Sequence, residues 1–163
     1  MGIQPVSGRR ALAAGGLLSA GIALLHVAII VVGAPAYRYF GAGEEMAQKA
    51  AEGSYFPTLL TATVAMFFAL FAFYGLAGAQ VVPRPSLLRT GLIAIGVIYT
   101  LRGLLLAPQL AAYMSNAPLL APKDLVFSAV SLVIGLLYLL GTWQAWPDLR
   151  TNRRGATLFD KKI

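Results

Sequence analysis

Four long runs of apolar residues make up most of the sequence, and short polar stretches separate them. A helix needs about 20 mainly apolar residues to cross the hydrocarbon core of a bilayer. Each run approaches that length, and only the third contains a charged residue. Prolines stand near the ends of the runs, where they disturb a helix least. The pattern therefore predicts membrane-spanning helices at residues 12–33, 58–79, 90–108 and 125–146.

The segment between the first two runs contains a polar stretch with a different pattern, "GEEMAQKAAEG". Glu44 and Glu45 stand where acidic residues favour the first turn of a helix, and Lys49 follows Glu45 by one helical turn. Gly53 suits the end of such a helix. We therefore predict an all-α membrane protein, a four-transmembrane-helix bundle with a short amphipathic helix in the first extracytoplasmic loop. It is predicted to form a single domain, residues 1–163, that ends in a basic tail, residues 147–163.

Composition supports a membrane protein and argues against several kinds of chemistry. Hydrophobic residues make up 58% of the chain, charged residues 12%, and the mean hydropathy is +0.73, which is not typical of a soluble domain. There is no cysteine and one histidine, which argues against thiol chemistry and a protein-only metal centre. We therefore predict no metal and no cofactor. None of the four runs contains a carboxylate, which argues against a proton-coupled pump.

The basic residues are distributed unevenly between the two sides of the predicted membrane. One side carries three and the other nine, which accounts for most of the net charge of +7. Because basic residues concentrate on the cytoplasmic side, we predict a multi-pass protein of the cell inner membrane with both termini in the cytoplasm. The positive net charge is then explained by the membrane topology and by contact of the basic residues with lipid headgroups. We therefore predict no nucleic-acid partner. The nine are Arg9, Arg10, Arg84, Arg89, Arg150, Arg153, Arg154, Lys161 and Lys162, and the three are Arg38, Lys49 and Lys123.

Two polar residues lie deep in the predicted spans. His26 lies 14 residues after Leu12, and Arg102 lies 12 after Thr90, which places them about 21 Å and about 18 Å along their helices. The second and fourth spans also carry hydroxyl residues in this outward half. We therefore predict a polar layer beneath the loop helix that binds a ligand. The predicted binding residues are His26, Arg102, Tyr99, Glu44, Glu45, Thr61 and Ser131.

Arg102 has two explanations at the level of sequence. In the first, its long side chain reaches the headgroups by itself, or a loop glutamate neutralises it. In the second, it holds an anionic headgroup or carboxylate, with His26 as a further polar contact. Small and hydroxyl-bearing residues also recur at helical spacing in the spans, which is typical of helix–helix packing. In the fourth span this stripe is Ser128, Ser131, Gly135, Tyr138 and Thr142.

Three functions are compatible with this pattern. The first is binding of an anionic lipid or small amphiphile in an outward-facing polar pocket. The second is a membrane-embedded enzyme acting on a lipid or isoprenoid-like substrate, with His26 and a loop glutamate as acid and base. The third is a small transporter, which with four spans would need to form oligomers. The predicted partners are membrane lipids, and a second copy of the chain or another membrane protein.

Overall fold

The protein is all-helical over the residues that the computed structural model describes, 6–115 and 122–149. The short helix predicted in the first loop is confirmed, as α3, and its first turn carries both predicted glutamates. In chain order the helices are α1 (Val6–Val32), α2 (Ala34–Tyr39), α3 (Glu44–Ala51), α4 (Tyr55–Gly78), α5 (Leu88–Leu104), α6 (Leu106–Met114) and α7 (Pro122–Gln144).

Four helical stretches are long and apolar enough to cross a membrane, which confirms the predicted class of a small multi-pass membrane protein. Three of them match the predicted spans to within a few residues, apart from an earlier start of α1. The third differs, because α5 and α6 together form one apolar stretch that continues to Met114. Pro108 lies in the first turn of α6, where a missing N–H removes no helical hydrogen bond.

The helix α2 begins directly after α1. Gly33 has a φ of 75°, a backbone conformation that glycine adopts without steric cost, and Pro35 stands in the first turn of α2. α3 packs on α2 through Ala47, which is fully buried with Ala36, Tyr37 and Ile29 in one small apolar core. The two short helices of the loop segment therefore share a small core with Ile29 of α1.

The chain divides into two compact units by its internal contacts. The terminal unit comprises Met1–Gly15 and Tyr74–Ile163, and the internal unit comprises Gly16–Phe73. The boundaries fall inside α1 and α4. The prediction of a single domain stays a prediction.

In the terminal unit, α5 and α7 pack closely along small residues. A Cβ atom on Gly103 would lie 2.5 Å from the Cα atom of Leu132, and one on Gly135 would collide with Thr100. The rings of Tyr99 and Tyr138 stack with their centroids 6.1 Å apart. Most of the stripe predicted in the fourth span is buried, which confirms its packing role. Its buried members are Ser128, Gly135, Tyr138 and Thr142.

The terminal unit also brings together three segments that were predicted to share one side of the membrane. Arg9, near the start of α1, forms an ion pair of 2.7 Å with Asp148, after α7. Arg84, between α4 and α5, donates to the backbone oxygen of Asp148 at 3.1 Å. Arg89 donates to the backbone oxygen of Trp146 at 3.0 Å. These contacts are those expected of segments on the same side of a bilayer.

Candidate functional sites

Arg102 is held by a short chain of hydrogen bonds in the terminal unit. Its Nη1 donates to the Ser128 hydroxyl at 2.7 Å, and that hydroxyl donates to the Gln109 side-chain oxygen at 2.6 Å. Ser128 is fully buried, whereas Arg102 is exposed. Because the serine proton points to Gln109, the serine oxygen is free to accept from the guanidinium. The network fixes one edge of Arg102 against α7.

The positive charge of Arg102 has an uncharged partner in this network. A guanidinium carries five N–H donors and can bind a carboxylate or phosphate through two of them at once. The bond to Ser128 uses one. Arg102 also lies in the last turn of α5, where the helix dipole favours a cation. The site can therefore receive an anion on the edge that does not contact Ser128.

The two loop glutamates form ion pairs within the internal unit. Glu44 accepts three hydrogen bonds from Arg38, of 2.8 to 3.0 Å, and Glu45 accepts one of 2.7 Å from Lys49. The hydrogen bonds from Arg38 lower the pKa of the Glu44 carboxyl below its ordinary value, and Lys49 lowers the pKa of Glu45 in the same way. Both glutamates are thus carboxylates engaged with neighbouring loop cations.

A cleft of about 300 Å³ lies within the internal unit. His26 from α1 and Thr61 from α4, both predicted as binding residues, line it together. Neither Glu44 nor Glu45 is among its lining residues. The remaining lining residues are Ile29, Tyr37, Phe40, Gly41, Ala42, Met46, Leu60 and Val64.

The hydrogen bond of His26 assigns the proton of the neutral ring to one of its two nitrogens. Its Nδ1 lies 2.8 Å from the backbone oxygen of Ile22, and a carbonyl oxygen only accepts, so Nδ1 carries the proton. In the neutral ring the other nitrogen, Nε2, is then an acceptor. The ring also lies against Phe68, with centroids 5.1 Å apart.

Sequence reasoning missed Tyr37 and Gln109. Tyr37 is 2% exposed, lines the cleft, and its buried hydroxyl has no hydrogen-bond partner in the part of the chain that the structure describes. The sequence feature that could have identified Tyr37 is Gly33 followed by Pro35, because this pair marks the start of a new helix that contains Tyr37. Gln109 lay beyond the predicted end of the third span.

The other two predicted binding residues have structural contacts. Tyr99 is 3% exposed and stacks on Tyr138. The hydroxyl of Ser131 donates to the backbone oxygen of Phe127 in its own helix at 2.8 Å. The structure thus associates Arg102 with Ser128 and Gln109, and His26 with Thr61 and Tyr37.

A second, more basic cleft of about 530 Å³ lies in the terminal unit. Arg84 and Arg89 line it, together with Ser86 and Thr90 at the start of α5. Arg89 also lies over the Trp146 ring, 4.5 Å from its centroid. A pair of arginines beside an interfacial tryptophan is typical of contact with lipid headgroups.

Comparison with protein-family models, with curated proteins and with solved structures finds no match. In residues 6–115 and 122–149 no group of three or more histidine, cysteine or acidic side chains is placed to hold a metal ion. The arrangement of the polar side chains is therefore the feature of this protein that points to a function.

Proposed function

We propose that this small membrane protein binds an anionic amphiphile, such as an acidic phospholipid, at Arg102. The observation that carries the proposal is a guanidinium within the membrane-length stretch Leu88–Met114 whose partner is the uncharged Ser128. A charge at such a depth costs free energy unless an opposite charge or water compensates it. An anionic headgroup supplies that charge and accepts the remaining N–H groups.

The position of Arg102 along α5 suits a headgroup. Arg102 lies 14 residues after Leu88, or about 21 Å along the helix, in a hydrocarbon layer of about 30 Å. A long side chain at that depth reaches the boundary between acyl chains and headgroups. With both termini in the cytoplasm, as the charge distribution predicts, this boundary belongs to the outer leaflet. The acyl chains of the ligand remain in the bilayer beside α5.

The hydrogen bonds behind Arg102 support a positioning role. Gln109 orients the Ser128 hydroxyl, and Ser128 holds the guanidinium against α7. A preorganised arginine loses less side-chain entropy when it binds a ligand than a freely moving one. An arginine that only extends toward water binds no ligand, so fixing its side chain in one orientation would not improve any binding.

Native mass spectrometry in a mild detergent tests the proposal with defined lipids. Wild type is expected to retain phosphatidylglycerol in preference to phosphatidylcholine. In Arg102→Gln the retention of phosphatidylglycerol should fall by roughly tenfold or more, since hydrogen bonds between charged groups contribute about 1.5–3 kcal/mol. Arg10→Gln, at an exposed arginine near the start of α1, removes the same charge from the basic side and is the matched control. It should lower phosphatidylglycerol retention much less than Arg102→Gln does.

A further variant separates the effect of positioning Arg102 from the effect of its charge. Ser128→Ala keeps the guanidinium and removes its anchor, so it should weaken phosphatidylglycerol retention less than Arg102→Gln does. If Arg102→Gln and wild type retain the two lipids equally, Arg102 only reaches toward the headgroups and the proposal is wrong.

A further inference from the structure

We propose that the cleft of the internal unit is a second binding site, for an uncharged molecule that carries a hydroxyl group on an apolar body. The site uses Tyr37, His26 and Thr61 and does not involve Arg102. All of its lining residues lie within Gly16–Phe73. Its volume of about 300 Å³ is at the lower end of the range of small-molecule sites, which is about 300–1,000 Å³.

The Tyr37 hydroxyl is the observation that points to a ligand. It is buried without a hydrogen-bond partner among residues 6–115 and 122–149, and such a group destabilises a folded protein. Phenylalanine would fill the same space without this cost. A ligand oxygen in the cleft gives the hydroxyl the partner that the described protein atoms do not provide.

The other polar groups of the cleft define the chemistry of the ligand. His26 holds its Nδ1 proton on Ile22, so Nε2 is available to accept a hydrogen bond, and Thr61 lines the same cleft. Tyr37 can donate, and a ligand hydroxyl both accepts and donates. A hydroxyl therefore matches a site that contains one tyrosine donor and one histidine acceptor.

The rest of the cleft selects an apolar and uncharged body. None of its lining residues carries a carboxylate, an ammonium or a guanidinium group. Phe40, Met46 and Leu60 are among the apolar side chains of the wall. A second groove of about 280 Å³ shares Ile29 and Phe40 with the cleft and is lined almost entirely by apolar side chains, so it offers space for an apolar tail.

The test compares two probes that differ by one hydroxyl, 4-hexylphenol and hexylbenzene. Each is added to the full-length protein in phosphatidylcholine nanodiscs, and binding is measured by saturation-transfer NMR and by the shift in unfolding temperature. Wild type is expected to bind the phenol more tightly. Tyr37→Phe should weaken phenol binding roughly two- to tenfold, the equivalent of one neutral hydrogen bond, and should leave hexylbenzene binding unchanged.

A second readout separates a binding role from a structural one. Because residues 6–115 and 122–149 give the Tyr37 hydroxyl no hydrogen-bond partner, Tyr37→Phe should not lower the unfolding temperature without a probe. Thr61→Val is expected to weaken phenol binding in the same direction. Tyr55→Phe, at an exposed tyrosine outside the cleft, is the matched control and should bind both probes as wild type does.

Three results would overturn the inference. The first is that wild type binds the two probes equally tightly or binds neither of them. The second is unchanged phenol binding in Tyr37→Phe. The third is a lower unfolding temperature of Tyr37→Phe without a probe, which would show that the hydroxyl already has a structural partner.

Discussion

Two glycines decide how closely α5 and α7 approach. The space at Gly103 is bounded by the backbone of Leu132, and the space at Gly135 by Thr100. Backbone atoms cannot move aside as a flexible side chain can, so an added methyl group forces the helices apart. Small residues at such positions supply the close van der Waals contact on which helix association in a membrane depends.

Gly103→Ala should therefore destabilise the protein by about 1–3 kcal/mol, the usual cost of adding a methyl group to a packed core. The measurement is thermal unfolding in detergent, followed by circular dichroism. Gly21→Ala is the control, because a Cβ atom there would meet no heavy atom within 4 Å, and alanine favours helix more than glycine does. Equal unfolding temperatures for the two variants would contradict the close contact at Gly103.

The sequence identifies the unusual polar residues in the spans but not their partners. Arg102 and His26 are recognisable because a polar residue in an apolar run is unusual. Their partners are not recognisable, because Ser128 is 26 residues from Arg102 and the pairing depends on how α5 packs on α7. The sequence analysis proposed Glu44 as an opposite charge for Arg102, whereas in the structure Glu44 pairs with Arg38. The sequence hypothesis of one polar layer stays untested.

At the scale of elements, the pair α2 and α3 is held by a small core and by one ion pair. Ala47 packs into that core, and Arg38 of α2 pairs with Glu44 of α3. The pair between Lys49 and Glu45 lies within α3. Sequence predicted α3 from its charges but not α2, whose six residues carry no periodic signal. It also ended the third span at Pro108, since a proline often ends a helix, whereas α6 accommodates this proline in its first turn.

The ion pair between Arg38 and Glu44 makes the α3 segment sensitive to acid. Arg38 lowers the pKa of Glu44 in the folded protein, so the pair contributes stability above the unfolded-state pKa of about 4.3. That contribution is lost as the pH falls through the lower folded-state pKa. Glu44→Gln should therefore reduce the hydrogen-exchange protection of α3 at pH 7 by a modest amount, because the pair is exposed.

The difference in protection between wild type and Glu44→Gln should shrink in acid, below about pH 4, where the wild-type carboxyl begins to take up its proton. Glu52→Gln is the control at the C-terminal end of the same helix. It should not reduce the protection of α3 at pH 7, because a carboxylate there opposes the helix dipole. A Glu44→Gln difference that is as large at pH 3 as at pH 7 would show that its origin is not the ion pair.

At the scale of the whole molecule, the surface is apolar over the spans. Many large side chains there are exposed, for example Val31, Leu24 and Met66 at 80%, 69% and 68%. In water such a surface would aggregate, whereas in a bilayer it contacts acyl chains. Hydropathy predicted this arrangement correctly because membrane helices need apolar surface along their whole length. The direction of the spans depends on the distribution of basic residues between the two sides of the membrane.

Reporter fusions in the loops measure the direction of the spans. Reporter fusions after Gly53 should read periplasmic, and fusions after Pro85 should read cytoplasmic, because nine basic residues are predicted inside and three outside. Arg9 and Arg84 both contact Asp148, as residues on one side of the membrane should. Replacing Arg153 and Arg154, which lie outside the described residues, by glutamine leaves seven basic residues against three and should not invert the protein. A cytoplasmic signal after Gly53 would reverse the topology and move the proposed Arg102 lipid site to the inner leaflet.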